Sequence, residues 1–149
     1  MNIFEALRKD HDKQRALLET LTSTSGSSDL RDEIFKDLKE QLTEHAKYEE
    51  RYFYKPLFDH DISQSMARHS VAEHKQIDDL IEELESADQS SSSWLVIAKK
   101  LEHKVLHHLE EEEREVFQLA GKALTETEKK ELAQTYEKNI KKTEARPHV

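Results

Sequence analysis

Apolar residues recur along this chain at helical spacing, in stretches separated by short polar runs. Phe4, Leu7, Leu18 and Leu21 share one stripe and predict a first helix from about Asn2 to Thr22. Residues 23–28, Ser-Thr-Ser-Gly-Ser-Ser, read as a loop. Ser28 or Asp29 is a good N-cap for a second helix, which carries Ile34, Leu38, Leu42 and Phe53 and runs to about Lys55, before Pro56. A third helix starts near Ser63, holds Val71, Ile77, Ile81 and Leu84 inside, and stops before the serine run 90–93. A fourth runs from about Ser93 to Ala120, with Leu101, Val105, Val116 and Leu119 inside and Gly121 as its C-cap. Thr125 and Glu128 form a capping-box pattern that opens a last helix over about 126–142, and the tail from Lys142 onward is expected to fray. Short loops between long helices make neighbours antiparallel. The expectation is therefore an all-α domain over 1–149: an up-down-up-down four-helix bundle over about 2–121, plus a short C-terminal helix.

Composition narrows this picture. Two glycines and two prolines in 149 residues are too few for a strand-rich fold. The apolar stretches fall short of the ~18 residues needed to span a membrane, and the opening stretch MNIFEALRKDHDK has no secretory apolar core. Cysteine is absent, which removes disulfides, thiolate metal sites and cysteine nucleophiles; a cytoplasmic location is expected. A formal net charge of −9 argues against nucleic acid or an anionic membrane as partner. Nine histidines are the anomaly, and their placement carries the chemistry.

A shift of 63 residues maps the chain partly onto itself. Asp10-His11 falls on Glu73-His74, Leu38 and Leu42 on Leu101 and Val105, His45 on His108, and Glu49 on Glu112. Glu50-Arg51 falls on Glu113-Arg114, and Tyr54 on Phe117. Two helical hairpins of one design are implied, each giving a His from its first helix and a His-x-x-x-Glu from its second.

Residues i and i+4 of a helix share a face, so His45 with Glu49, and His108 with Glu112, each offer a nitrogen and a carboxylate together. Both pairs continue apolar stripes, and so do His11 and His74. His45 and His74 also sit at matching heights, each ~19 Å from the turn near residues 58–62 at the helical rise. Burying two ionised carboxylates without counter-charge costs several kcal/mol each. No Lys or Arg stands beside them on the stripes. Two divalent cations would remove the cost, and imidazole with carboxylate is a donor set that iron accepts. Shared glutamates would give each ion about four protein ligands, with positions left for a bridging oxygen and for O₂, NO or peroxide.

The segments DHDKQRALLETL, HAKYEERYFY, EHKQIDDLIEEL and HHLEEEEREVF together resemble the hemerythrin-like, or HHE cation-binding, domain. The resemblance covers nearly the whole chain. It implies a non-haem di-iron centre with His11, His45, His74 and His108 as terminal ligands and Glu49 and Glu112 as bridges. Manganese and zinc remain alternatives to iron. Oxygen-carrying hemerythrins place a fifth His one turn before the third-helix histidine, and this chain has Ser70 there. His69, five residues before His74, is turned ~140° away. The departure implies a more open coordination, suited to redox chemistry or sensing rather than simple O₂ carriage.

A lone His on a helix stripe is more often a hydrogen-bonded core residue; six groups that repeat together reverse that judgement. His69, His103 and His107 read as surface, His60 and His148 as loop and tail, and Glu112 as the one inward member of the run 110–113. Tyr52 and Glu115, seven residues after His45 and His108, read as inward, and Phe4 and Trp94 as core. A ferritin-like oxidase would need Glu-x-x-His, which no histidine here has. A histidine phosphotransfer module would need one exposed His. A haem bundle would leave both glutamates unexplained, and a metal-free helical adaptor is the remaining alternative. Within the metal reading, a binding or sensing role stands ahead of an oxidoreductase or peroxidase-like enzyme.

Overall fold

The computed structural model describes residues 1–144, with side chains to residue 142; the rest of the tail, including His148, lies outside the described residues. Helix α1 spans Ile3–Thr22 and α2 spans Asp29–Glu49. A π-helical turn, Glu50–Tyr54, then leads into the single turn α3, Lys55–Leu57. Helix α4 spans Asp61–Ser86 and α5 spans Ser92–Glu111; a second π-turn, Glu112–Val116, leads into α6, Phe117–Ala123. Helix α7 spans Glu126–Glu144. The four long rods form the expected antiparallel bundle, α1 beside α2 and α5, α4 beside α5 and α2, with α7 laid across α1 and α2. No described helix is long and apolar enough to cross a membrane.

Local chemistry explains most boundaries. Asn2 and Glu5 form a reciprocal capping box on α1, Ser28 caps α2 by accepting from the Arg31 amide, and Thr125 and Glu128 cap α7 reciprocally. Gly121 is not a cap: it lies inside α6, which ends at Ala123 where Leu124 turns extended.

The two π-turns were not expected. Each holds one more residue per turn than the α-helix and so delays the inward register by one position. Phe53, Tyr54 and Leu57 are buried after Glu49, and Val116, Phe117 and Ala120 after Glu112. Tyr52 is only half-buried, stacked on Tyr48, and Glu115 is exposed, contrary to the straight-helix reading. Pro56 deprives the first π-turn region of a donor, but the second contains no proline. What the two turns share is their position directly after or at the glutamate of a His-x-x-x-Glu.

Two apolar clusters fill the bundle. One joins Leu7, Phe53, Phe117 and Leu57 to Ala133, Tyr136 and Ile140 of α7. The other joins Leu18, Leu38, Ile81, Leu84, Trp94 and Leu101. Trp94 is fully buried as expected, while Phe4 is half-buried against Phe53 and Phe117. At the far end the guanidinium of Arg31, 2% exposed, donates to Thr24 Oγ1 and O at 2.8 Å and to Gln89 O at 2.5 Å, and lies 4.6 Å from the centre of the Trp94 ring. It ties the α1–α2 loop to the α4–α5 loop. Arg31→Ala would strand two part-buried carbonyls and open a cavity where the buried guanidinium lies, so a loss of about 3 kcal/mol is expected in chemical denaturation.

Candidate metal centre

Between the two apolar clusters lies a buried polar layer containing His11, His45, Glu49, His74, His108 and Glu112, none more than 5% exposed. All six sequence-predicted residues therefore meet in one place. His11 Nε2 lies 3.0 Å from Glu112 Oε1 and 3.7 Å from Glu49 Oε2. His45 Nε2 is 3.1 Å from Glu49 Oε2, His74 Nε2 is 3.1 Å from Glu49 Oε1, and His108 Nε2 is 3.5 Å from Glu112 Oε2.

These separations are not hydrogen bonds. His11 Nε2, both Glu49 oxygens and Glu112 Oε1 are buried and without a hydrogen-bond partner. Orphaned buried carboxylate oxygens are costly, and four orphaned atoms facing one another need a common partner. Donor atoms ~2.1 Å from a cation and ~90° apart stand ~3 Å from each other, so the spacing fits ligands around an ion. Within this layer two groups can be drawn: His11, His45, Glu49 and Glu112 form one, and His74, His108 and the same two glutamates form the other. The shared glutamates join them into a candidate two-ion centre.

Every imidazole presents Nε2 to the centre and Nδ1 to an acidic or phenolic partner. His11 Nδ1 meets Glu113 Oε2 at 2.8 Å and His74 Nδ1 meets Glu50 Oε2 at 3.0 Å. His108 Nδ1 meets Glu73 Oε1 at 2.9 Å. His45 Nδ1 meets the Tyr136 hydroxyl, with Asp10 Oδ2 at 3.5 Å. Such outer partners fix tautomer and ring orientation and raise ligand basicity. They obey the 63-residue repeat: Glu50 with Glu113, and Asp10 with Glu73. The same repeat carries these pairs directly beside the six central residues. Glu113, read as solvated, is half-buried and also gripped by Arg15 at 2.9 Å.

Tyr54 is the other residue sequence reading missed. Delayed inward by the π-turn, it donates from its hydroxyl to Glu112 Oε2 and sits beside Ser70, which is one helical turn before His74. Its repeat counterpart Phe117 has no hydroxyl and stacks on His11. His69 does not reach the centre: half its side chain is exposed, and Nε2 lies 3.1 Å from Glu111. His103 and His107 are exposed, as expected, and His60 precedes α4.

Charge explains why the layer suits cations. Burial alone would keep these imidazoles neutral, but Glu112, Glu113 and Glu49 lift His11 well above the ordinary histidine range. His45 is likewise raised, against its burial, by Glu49 and Asp10. His74 resists burial through Glu49 and Glu50 and is raised to about 10. Glu49, despite a burial that favours its neutral form, is held well below the carboxylate range by His45, His11 and His74. Glu73 goes to about 2, its burial outweighed by His108 and Lys104. Burial and the charges of Glu112 and Glu49 push the Tyr54 phenol well up, keeping it a donor. Protons on imidazoles thus supply the positive charge that the carboxylates demand.

A family model described as Hemerythrin HHE cation binding domain matches residues 2–120. Among solved structures, a hemerythrin HHE cation binding domain-containing protein from Mycobacterium kansasii is similar in fold, with a TM-score of 0.86. That similarity comes at 22% identity and covers 96% of this chain and 87% of the other. No curated protein matches the chain closely enough to compare.

Proposed function

This chain belongs to the hemerythrin HHE cation-binding family, and from its buried centre we propose that it is a non-haem di-iron protein that binds O₂, NO or peroxide in an oxygen or redox response, or in iron sensing. One iron would be held by His11 and His45 and the other by His74 and His108, with Glu49 and Glu112 spanning both. The observation that carries the reading is the convergence of four buried, unpartnered donor atoms from three helices on one point. Imidazole and carboxylate are donors that iron accepts, and the absence of cysteine removes the thiolate sites that zinc favours.

A bound iron pair would supply one-electron redox steps and open coordination positions. The chain supplies the rest. Carboxylates hold His11, His74 and His108 with Nε2 inward, the Tyr136 hydroxyl holds His45, and Tyr54 keeps a hydroxyl donor at Glu112. A narrow cavity lined by Leu42, Ala46, Ile77, Val105 and Leu109 reaches His45, His74 and His108, which suits a small, weakly polar ligand. Ser70 in place of a fifth imidazole favours open coordination, hence sensing or redox turnover over carriage.

The test is metal content per chain together with the ultraviolet and visible spectrum before and after air meets the ferrous protein. About two irons and new ferric charge-transfer bands are expected; a colourless chain that takes up no iron would overturn the reading. Binding is also expected to release protons at neutral pH, because the raised histidines, His74 at about 10, are protonated without metal. A weakly buffered titration with an indicator reads that release, and uptake without it would count against the histidine ligands.

A further inference from the structure

Helix α7 lies beyond the residues matched by the family model, yet it reaches the centre. The Tyr136 hydroxyl donates to Asp10 Oδ2 at 2.5 Å and accepts from His45 Nδ1. Tyr136 is 1% exposed, and its ring meets the His45 imidazole edge-on at 5.8 Å. The internal repeat gives a control within the same molecule. On the other half Glu73 stands where Asp10 stands here, and its longer side chain reaches His108 Nδ1 directly at 2.9 Å. Asp10 is one methylene shorter, and its oxygen stops 3.5 Å from His45 Nδ1, beyond a good hydrogen bond. The phenol oxygen fills that gap.

Resting on the di-iron reading above, we infer that Tyr136 is a positioning residue: its hydroxyl replaces the methylene that Asp10 lacks and relays the carboxylate's hold to His45, so that the C-terminal helix completes the His11–His45 half of the centre. The two halves thereby differ. The His74–His108 half is oriented by direct carboxylates, one of which, Glu73, also meets Lys104 near the surface. The His11–His45 half is closed by α7 and depends on a hydroxyl from outside the repeat.

The test uses the full chain, loaded with iron and challenged with an excess of chelator. In Tyr136→Phe the ring packing stays and the relay is lost, so one of the two irons is expected to leave about tenfold faster while the other keeps its rate. Adding Asp10→Glu to that variant should restore the slower release, since the longer carboxylate can reach His45 as Glu73 reaches His108. Unchanged release of both irons in Tyr136→Phe, or no restoration by Asp10→Glu, would overturn the relay. A parental chain that takes up no iron would sink the di-iron reading instead. The relay is then judged on the metal-free chain, where a slowly exchanging downfield hydroxyl proton, lost in Tyr136→Phe, is expected by NMR. Its absence from the parental chain would overturn the inference.

Discussion

Glu49→Ala is expected to leave the chain with fewer than two irons and to abolish the stabilisation that iron confers. Glu49 is the only one of the six candidate ligands within reach of three of the histidines, with His45, His74 and His11 at 3.1, 3.1 and 3.7 Å. Both groups of the buried layer include it, so its loss would remove a donor from each ion at once. Only the folded chain gathers all six groups, so metal binding is folding energy. With iron about a thousandfold above its dissociation constant, linkage gives about 4 kcal/mol, or roughly 10 °C of Tm at this chain length. The parental chain should lose that increment when a chelator strips the metal; the variant should show none to lose. His74→Ala is expected to lower iron below two per chain while leaving the His11–His45 group whole. Full occupancy in both variants would refute the ligand assignment, and so would a Tm indifferent to metal removal.

The second large effect is a reversal of pH dependence between the metal-free and metal-loaded chain. Without metal, the folded-state value of His74 is raised from 6.5 to about 10. Its contribution to stability is then complete below about 6.5 and is lost as the pH climbs through about 10. His11 and His45 are shifted in the same direction and act in the same sense. Glu73 is shifted from 4.5 to about 2, so its contribution holds above 4.5 and fades as the pH falls through about 2. The metal-free chain should therefore be most stable between roughly 4.5 and 6.5 and should weaken steadily towards pH 10. The loaded chain should do the opposite over the upper range, because metal and proton compete for the same nitrogens and alkali favours the metal. Denaturant midpoints of both forms across pH 5–10 read the two slopes. A metal-free chain that grows more stable above pH 7 would contradict the carboxylate–imidazolium pairing of the layer.

How far the sequence carried these conclusions depends on which kind of order was at stake. Helix existence, loop positions and the capping of α2 and α7 are local properties of backbone and side chain, and periodicity with cap residues disclosed them. The six central residues were legible because each lies on an apolar stripe, where an unpaired histidine or glutamate is expensive, and because a 63-residue repeat preserved them. The partners Glu50, Glu113, Asp10 and Glu73 sat in that same repeat. A charge beside a stripe is ordinarily solvated; only tertiary packing turns Glu50, Glu113 and Glu73 onto Nδ1 atoms and Asp10 onto the Tyr136 hydroxyl. The inward register after Glu49 and Glu112 was decided by the π-turns, whose extra residue no hydrophobic period announces. That is why Tyr54 rather than Tyr52 meets Glu112. Tyr136 lies outside the repeat and 91 residues from its histidine partner. Nothing local ties a tyrosine on a polar terminal helix to His45. Only the docking of α7 across α1 and α2, driven by burial of Ala133, Tyr136 and Ile140, brings its hydroxyl to the gap that a short aspartate leaves.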